Sequence, residues 1–514
     1  MLYLSIIYHM HQPYYKDLDK QEFVLPWVRL HGIKDYLDMV KILEDYPNIR
    51  LTFNLVPSLI EQLQDYISGT QDEFQKVSYK RKEEWTTQDK AFILENFFKI
   101  DPNRVISNYP RYLELLKKKS QHKEFNLQDY EDATVWFNLS WFDYYFKKNV
   151  PELSNAILKG RFFNHEDKLN VLNKQKEILS KIIPIYKEYI AKGNIEVALT
   201  PFYHPIMPLL YETKAALEAN PQATLPKENF AYPEDISWHI EEGLNYFQQI
   251  FGLRPKGMWP SEQSVSENII PYIQKAGINW IVTDEAILYR SINVKKRDTE
   301  LLYQAHILKR PYGNLNILFR DRDLSDLIGF EYKNWDARDA SSNFMYHLEN
   351  INKHYKNKNV LVVIALDGEN AWEYYRNDGW DFLNNFYKNL NESTYLKTVT
   401  PSEYLKDYPA TQHIKHLATG SWIFGNFNKW LGSPQKNLAW DYLTKARELL
   451  EDLQSKNKPI PEIAWKQMHI LEGSDWFWWY DEGQTDFDSL FRLHLRNFYK
   501  FLGQKIPDYL NQPL

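Results

Sequence analysis

Short apolar runs alternate with longer amphipathic segments along most of the chain. The clearest run covers residues 361–366, where six consecutive apolar residues lead directly into the polar turn at residues 367–370. A continuous apolar, β-branched run is typical of a strand that is covered on both faces, as in a parallel sheet. Helical periodicity with a spacing of three to four residues separates this run from its neighbours. The alternation therefore predicts an α/β fold assembled from repeated β–α units.

Eight apolar runs are candidates for strands. They lie at residues 2–8, 49–56, 195–199, 256–259, 280–283, 316–319, 361–366 and 397–400. Strands separated by helices are typical of a βα barrel or of a doubly wound sheet. In both architectures the functional residues follow the carboxyl ends of the strands. We therefore look for the site in the loops that come directly after these runs.

Two parts of the chain depart from the alternating pattern. Residues 69–168 are rich in Lys, Glu, Asn and aromatic residues with helical spacing, which predicts a helical insertion on the barrel. After residue 408 only helical patterns follow, and between them lie two aromatic loops at 420–430 and 473–480. We predict a catalytic barrel domain at 1–408 and an all-α domain at 409–514 that contributes aromatic side chains to the cleft.

Composition and charge exclude several classes of function. The 514 residues include 62 basic and 68 acidic side chains, and no basic patch favours a nucleic-acid partner. The absence of cysteine excludes disulfides, thiol catalysis and thiolate metal ligands. No run approaches the roughly 20 apolar residues of a membrane span. The apolar start lacks a basic segment and predicts a strand rather than a signal peptide. We expect a cytoplasmic protein with no membrane partner.

The aromatic content is high, at 16% of the chain. A large hydrophobic core explains part of this content. Clefts that bind sugars are another use of aromatic side chains, because the apolar faces of pyranose rings pack on them. Composition alone leaves both explanations open.

Polar side chains follow four of the predicted strands. They are His11 with Gln12, His204, Glu262, and Asp367 with Glu369. In a barrel these positions face one pocket. Two carboxyl groups from different strands suit glycosidic cleavage, in which one attacks the sugar and the other protonates the leaving oxygen. Each residue also has a structural explanation: Glu262 suits the first turn of a helix, and Asp367 suits the cap of a turn.

The pair His9 and His11 raises a different chemistry. Two imidazoles at the end of a strand can ligate zinc, which then activates water. Such a metal-dependent deacetylase or amidohydrolase needs a third ligand, for which His204 or Asp367 is available. A non-catalytic glucan-binding protein is a further alternative, suggested by the aromatic content.

Five segments of the chain resemble the motifs of glycoside hydrolase family 57, the group of α-amylases, amylopullulanases and 4-α-glucanotransferases. They are His9-Met-His-Gln-Pro-Tyr14, Gly193 to Val197 with His204, Gly257-Met-Trp-Pro-Ser-Glu262, Leu366-Asp-Gly-Glu-Asn-Ala-Trp372, and Gly420-Ser-Trp-Ile-Phe-Gly-Asn-Phe-Asn428. Similarity extends to residues 25–31, 52–57 and 474–480, so it covers nearly the whole chain. Pro260 and Ser261 stand at positions where some members of the family carry Leu or Thr.

This resemblance implies an incomplete TIM-type (β/α)7 barrel, with one strand fewer than the eight candidates, followed by a helical domain. It implies a retaining reaction on α-1,4-glucans, with α-1,6 links as an open second target, no cofactor and no metal. Glu262 would be the nucleophile and Asp367 the general acid/base. The implied substrate-binding residues are His11, His204, Trp259, Glu369, Trp372, Trp422 and Trp476. The flanking segments favour the amylase and amylopullulanase branch, and 4-α-glucanotransfer by the same site stays an alternative.

Overall fold

Seven parallel strands form the centre of the fold in the computed structural model, which describes residues 1–356, 358–369, 372–483 and 485–514. The strands are β1 Leu2–Met10, β2 Leu51–Leu55, β3 Ile195–Leu199, β4 Gly257–Met258, β5 Trp280–Asp284, β6 Gly313–Arg320 and β7 Val360–Asp367. Their order in the sheet is β7-β1-β2-β3-β4-β5-β6. Each neighbouring pair is parallel.

The two ends of this sheet approach each other, which gives it the shape of an incomplete barrel. The backbone N–H of Asp321, just after β6, donates to the carbonyl of Val363 in β7 at 2.8 Å. The Arg320 guanidinium donates to the carbonyl of Ala365 at 3.1 Å. The predicted fold class, a (β/α)7 barrel with a helical insertion and a helical C-terminal region, is confirmed.

The remaining strands are short and lie outside the barrel. The predicted strand at 397–400 corresponds to Leu396–Thr398, which pairs with the start of β1 and is not a barrel strand. His306–Arg310, which the apolar pattern missed because it ends in two basic residues, pairs antiparallel with β6. Gln412–His413 pairs with it in turn, and Lys16–Asp17 with Glu22–Phe23 forms a hairpin. The sheet thus continues past residue 408, and the domain boundary there stays a prediction.

Residues 69–168 consist mainly of helices packed against one side of the barrel. They are Glu73–Tyr79, Thr87–Asn96, Pro110–Ser120, Leu127–Ser140, Tyr144–Asn149 and Pro151–Lys159, followed by the long helix His165–Lys192. Asn164 begins the long helix by accepting from the backbone of Asp167, and Gly193 ends it in the left-handed conformation. These signals are local, so the sequence could predict them.

Other helices connect the barrel strands or form the C-terminal region. The connecting helices are Trp27–His31, Asp38–Lys41, Pro57–Ser68, Met207–Tyr211, Ala216–Ala219, Pro233–Phe251, Ile270–Lys275, Glu285–Ser291, Thr299–Leu302, Arg322–Asp326, Ala337–His354, Trp380–Glu392 and Pro401–Asp407. The C-terminal helices are Pro434–Ser455, Glu462–Leu471, Asp475–Trp478 and Thr485–Phe501. Within the described ranges, no helix combines the length and apolar character that crossing a bilayer requires.

Alternate residues of the barrel strands face two separate hydrophobic cores. In β7, Leu361, Val363 and Ala365 join one buried cluster with side chains from the other strands. Val362 and Ile364 join the larger cluster that the helices cover. Both faces of the strand are therefore buried, which explains why its sequence is continuously apolar rather than alternating.

A buried ion pair ties the helical insertion to the first barrel helix. Arg29 donates to both carboxyl oxygens of Asp72, at 2.8 and 3.2 Å, and both side chains are fully buried. The guanidinium also donates to Gln175 at 2.8 Å and to Asn138 at 3.3 Å. Tyr66 gives Asp72 another hydrogen bond. The charges are therefore paired and hydrogen-bonded, as buried charges must be.

We expect Arg29→Met to lower the free energy of unfolding by about 3–5 kcal/mol, because it leaves the Asp72 carboxylate buried without its cation. Denaturant unfolding followed by tryptophan fluorescence measures the change. Lys181→Met is the control, because it removes an exposed pair with Glu177 and should cost about 1 kcal/mol or less. Equal effects of the two variants would contradict the role of the buried pair.

Candidate active site

The two predicted catalytic carboxyl groups lie close together at the carboxyl ends of β4 and β7. Glu262 is in the single 3₁₀ turn Ser261–Gln263 that follows β4, and Asp367 is the last residue of β7. Burial, and after it the charge of Asp367, raises the pKa of Glu262 to about 8. A buried carboxyl group that lies near another carboxylate resists ionisation. Glu262 therefore keeps its proton up to near-neutral pH while no ligand is bound.

The backbone at the site is strained. Glu262 and Gln263 have φ angles of 56° and 51°, and His204 after β3 has a φ of 61°. Residues other than glycine seldom adopt this left-handed region, and the cost is roughly 1–3 kcal/mol each. Such strain persists only where surrounding contacts impose it, and it is concentrated at functional sites. The geometry thus marks Glu262 and His204 independently of any sequence motif.

Trp422 binds Glu262 twice. Its indole Nε1–H donates to Glu262 Oε2 at 2.7 Å, and its backbone N–H donates to the Glu262 carbonyl at 3.2 Å. Val265 and Gly420 exchange two backbone hydrogen bonds of 2.8 and 2.9 Å, which fix the loop in place. A side chain at Gly420 would lie 2.2 Å from the carbonyl oxygen of Gly425, so the loop needs glycine there. A segment beyond residue 408 thus contacts Glu262.

His11 and His204 stack on each other beside the carboxyl pair, with ring centroids 3.9 Å apart. His11 Nε2 is 2.8 Å from Asp475 Oδ1, and His204 Nδ1 is 2.8 Å from Ser474 Oγ. The Ser474 backbone N–H also donates to the His204 carbonyl at 3.0 Å. The C-terminal region therefore holds both histidines in place.

Each of these histidines keeps one ring nitrogen for a ligand. His11 Nδ1 and His204 Nε2 are buried and have no hydrogen-bond partner among the described residues. Burial, and after it the neighbouring His11, lowers the pKa of His204 well below its usual range. His204 is therefore neutral at working pH and can exchange hydrogen bonds with an uncharged hydroxyl group.

Glu369 lies behind the first motif rather than in the open cleft. It is 2% exposed, and its Oε1 accepts from the backbone N–H of His11 at 2.7 Å and from the hydroxyl of Tyr36 at 2.8 Å. Burial, and after it the charge of Asp367, raises the pKa of Glu369 well above its usual range. Its contacts position His11, and the substrate-binding role of Glu369 stays a prediction. Asn370 and Ala371 of the same motif lie outside the described residues.

Three of the predicted tryptophans are almost fully buried, namely Trp259, Trp372 and Trp476. Trp259 stacks on His9 at 4.9 Å and meets Trp422 edge to face. The indole N–H of Trp372 donates to Met39 and that of Trp476 to the Ile470 carbonyl. In this structure their ring faces are closed to a ligand, because large apolar rings gain most by filling the space where loops converge. Half-buried Trp422 is the tryptophan of the set that donates to Glu262.

The potential metal ligands differ from the predicted pair. Ligand atoms of His11, His204 and Asp475 all lie within 4.8 Å of one another. His9 is not part of this group, because its Nδ1 is 2.5 Å from Asn54 Oδ1 and its ring stacks on Trp259. The metal-hydrolase alternative therefore rests on His11 with two partners from distant parts of the chain.

A comparison with models of known families matches residues 5–416 to the model described as glycosyl hydrolase family 57. The chain belongs to glycosyl hydrolase family 57. The motif resemblance seen in the sequence is thereby confirmed, and it extends over most of the chain.

Relatives of this family 57 chain are distant. The α-amylase 1 of Dictyoglomus thermophilum is 24% identical over 344 residues, which are 63% of this chain and 42% of that protein. The chain thus spans less than half the length of this curated relative. The branching enzyme structure from Thermococcus kodakaraensis has a TM-score of 0.65 at 16% identity, covering 99% of this chain and 93% of that one. The α-amylase AmyC structure from Thermotoga maritima has a TM-score of 0.60 at 16% identity, covering 99% and 95%. At these identities the likeness shows a shared fold.

The sequence did not single out three residues of the site in this family 57 chain. Ser474 and Asp475 lie in a segment of recognised similarity, but only the fold shows that they contact His204 and His11. Gln263 is fully buried, and neither atom of its amide has a partner among the described residues. In the sequence, only its position next to Glu262 indicates that Gln263 belongs to the site.

We expect Trp422→Phe to lower kcat/KM about 10- to 100-fold, because it removes a hydrogen bond to a charged group. The pKa of Glu262 should rise, since the Trp422 N–H favours the ionised form. The acid limb of the kcat/KM–pH profile should therefore move to higher pH. Trp335→Phe is the control, because Trp335 is an exposed tryptophan. An unchanged profile for Trp422→Phe would show that this bond does not act on the nucleophile.

Proposed function

We propose that this family 57 chain is a retaining enzyme that cleaves α-1,4-glucans, with Glu262 as nucleophile and Asp367 as general acid/base. The observation that carries the proposal is the carboxyl pair, in which a strained and buried Glu262 lies near Asp367 at two strand ends. Two nearby carboxyl groups that share one proton supply both the base form and the acid form that glycosidic cleavage needs.

The reaction proceeds in two displacements. In the first, a carboxylate oxygen of Glu262 bonds to the anomeric carbon while the bond to the glycosidic oxygen breaks, and Asp367 gives its proton to that oxygen. In the second, Asp367 takes a proton from the incoming hydroxyl, whose oxygen bonds to the anomeric carbon as the Glu262 ester breaks. Two inversions leave the anomeric configuration unchanged.

The surroundings of the pair support these roles. The Trp422 N–H donates to Glu262 and favours its ionised form, which opposes the effect of burial and of Asp367 on the pKa of Glu262. The reactive form has Glu262 ionised and the proton on Asp367. Charge develops on the sugar ring in the transition state, and a buried carboxylate stabilises it more strongly than one in water. The free nitrogens of His11 and His204 suit the hydroxyl groups of the sugar next to the cleaved bond.

The nature of the acceptor separates hydrolysis from transfer. We propose water as the main acceptor, in line with the flanking segments that favour the amylase branch. The test is the distribution of product lengths from one purified maltooligosaccharide, followed over time. Shorter products alone would support hydrolysis, whereas shorter and longer products together would show 4-α-glucanotransfer. Longer products that contain new α-1,6 links would show branching, the activity named for the Thermococcus relative.

A metal-dependent hydrolase is the second candidate, favoured by the grouping of His11, His204 and Asp475. The nitrogen atoms of these histidines and the carboxylate of Asp475 can bind sugar hydroxyls as well as a metal. Metal analysis of the purified protein, with assays before and after chelation, separates the two functions. Full activity after chelation would support the glycosidase. Loss of activity, with recovery on adding zinc, would support the metal enzyme.

We expect Glu262→Ala and Asp367→Ala each to lower kcat on maltooligosaccharides by more than about 10³-fold while the fold is kept. With an aryl maltooligoside, whose phenolate leaving group departs without a proton, added azide should restore turnover in both. Glu262→Ala should give the inverted glycosyl azide, because azide replaces the nucleophile, whereas Asp367→Ala should give the retained product. Nuclear magnetic resonance of the products distinguishes the two configurations.

Glu392→Gln is the control, since Glu392 is exposed on a distant helix. It should keep wild-type turnover. Wild-type turnover by Glu262→Ala, or a retained azide product from it, would contradict the assignment of the nucleophile.

A further inference from the structure

A second cluster of buried polar side chains lies behind the histidines, between the barrel and the C-terminal helices. Asp235 and His239 come from the barrel helix Pro233–Phe251. Arg447 and His469 come from two C-terminal helices, and Glu472 follows the second of these. His239 and Glu472 are at most 1% exposed and the others at most 3%. The catalytic mechanism above uses none of these five groups.

Glu472 is the centre of the cluster. Its Oε2 atom accepts from His239 Nε2 at 2.8 Å and from His469 Nδ1 at 3.1 Å. On the other side of the His239 ring, the Tyr203 backbone N–H donates to Nδ1 at 3.3 Å. Because Nδ1 is an acceptor, the single proton of neutral His239 is on Nε2 and points at Glu472.

This arrangement favours protons over a metal. Ligand atoms of His239, His469 and Glu472 lie within 4.8 Å of one another, so their composition would suit zinc. A metal on His239 Nε2 would force the ring proton onto Nδ1, where the N–H of Tyr203 already points. Two donors would then face each other in a buried place, which is costly.

The two carboxyl groups of the cluster lie against each other. Arg447 donates to both oxygens of Asp235, at 2.8 and 3.1 Å. Burial, and after it the charge of Glu472, raises the pKa of Asp235 to about 7 despite this pair. A hydrogen bond between Asp235 and Glu472 contributes in the same direction. Asp235 therefore keeps its proton up to near-neutral pH.

Charges on every packed element bear on this proton. The barrel helix contributes Glu234, which accepts from Arg447 at 2.9 Å and is 62% exposed at its side chain. Burial lowers the pKa of His469 to about 4, and burial also lowers that of His239. Both rings are thus neutral at working pH, and the single positive charge of Arg447 faces two buried carboxyl groups. When Asp235 keeps its proton, the charge of Arg447 is not outweighed by two buried carboxylates.

The cluster is linked directly to the glucan site. The Phe202 backbone N–H donates to the His239 carbonyl at 3.1 Å, so His239 fixes the loop that carries His204. On the other side, Glu472 is followed at once by Gly473, Ser474 and Asp475. A side chain at Gly473 would lie 2.8 Å from the Tyr203 carbonyl oxygen, which shows how closely the two segments pack.

We propose that Glu472 is a positioning residue for the reaction: by holding His239 and His469 at the junction, it fixes Asp475 and Ser474 against His11 and His204. The proposal rests on the proposed function for its effect on turnover, and on the cluster alone for its effect on stability. When Asp235 loses its proton, its carboxylate repels the neighbouring Glu472 inside the junction. The segment that carries Asp475 then loses its fixed place.

The direction in which the pKa of Asp235 is shifted decides whether stability rises or falls with pH. The pKa of Asp235 is raised from an ordinary value of 3.8 to about 7 in the folded protein. Stability from this group is therefore complete in acid and is lost as the pH rises through about 7. The same titration should loosen the site, so kcat/KM should fall over the same range in addition to the effect of the catalytic pair.

We expect Glu472→Gln to keep the shape of the side chain and remove the repulsion. The fall in Tm between pH 4 and pH 8 should become smaller than in the wild type. Glu472→Ala, which removes both histidine contacts, should lower kcat/KM on a maltooligosaccharide about 10- to 100-fold at pH 6, mainly in kcat. Thermal unfolding and initial-rate assays across this pH range measure both. Glu448→Gln is the matched control, because Glu448 is exposed on the helix that carries Arg447.

Asp235→Asn serves if Glu472→Gln does not fold, because it removes the same repulsion and leaves both histidine contacts of Glu472 intact. It should give the same flatter dependence of Tm on pH. A wild-type kcat/KM in Glu472→Ala, or a wild-type pH dependence of Tm in both Glu472→Gln and Asp235→Asn, would overturn the proposal. So would stoichiometric metal that is lost in His239→Gln. If the wild type does not turn over glucans, the proposed function fails, while the Tm measurements still decide whether Asp235 and Glu472 repel each other at the junction.

Discussion

The burial of Glu262 against Asp367 is the constraint on which the rest of the structure depends. Two carboxyl groups in one pocket repel each other and resist desolvation, so the fold must supply compensating contacts. The indole N–H of Trp422 is one such contact, and the retained proton is another. The left-handed backbone at Glu262 adds a further cost that the surrounding packing must impose. The burial and strain that make Glu262 reactive therefore also destabilise the folded protein.

The C-terminal region offsets much of this cost, although the barrel carries both carboxyl groups. Trp422 contacts Glu262, and Asp475 and Ser474 hold the stacked histidines His204 and His11. A junction of this kind must stay rigid, which gives a physical reason for the buried hydrogen-bonded cluster around Glu472 behind it.

Local patterns were enough to predict the barrel and its catalytic ends. The apolar run of β7 and the glycine that ends the long helix at residue 193 depend on neighbours in sequence, so they could be seen there. Leu396–Thr398 looked like a barrel strand, because its apolar pattern does not show which end of β1 it pairs with. The burial of Trp259, Trp372 and Trp476 was equally hidden, since the sequence shows that a ring is large and not what covers it.

The sequence by itself determined the α/β class, the helical insertion, the family and the strand ends that carry Glu262 and Asp367. These follow from periodicity and motifs, which act over a few residues. The tertiary structure alone decided that Glu369 holds His11, that Trp422 and Asp475 complete the site, and that Asp235 meets Glu472. Such contacts join residues up to hundreds of positions apart. Their energies depend on burial and distance, which exist only once the chain has folded.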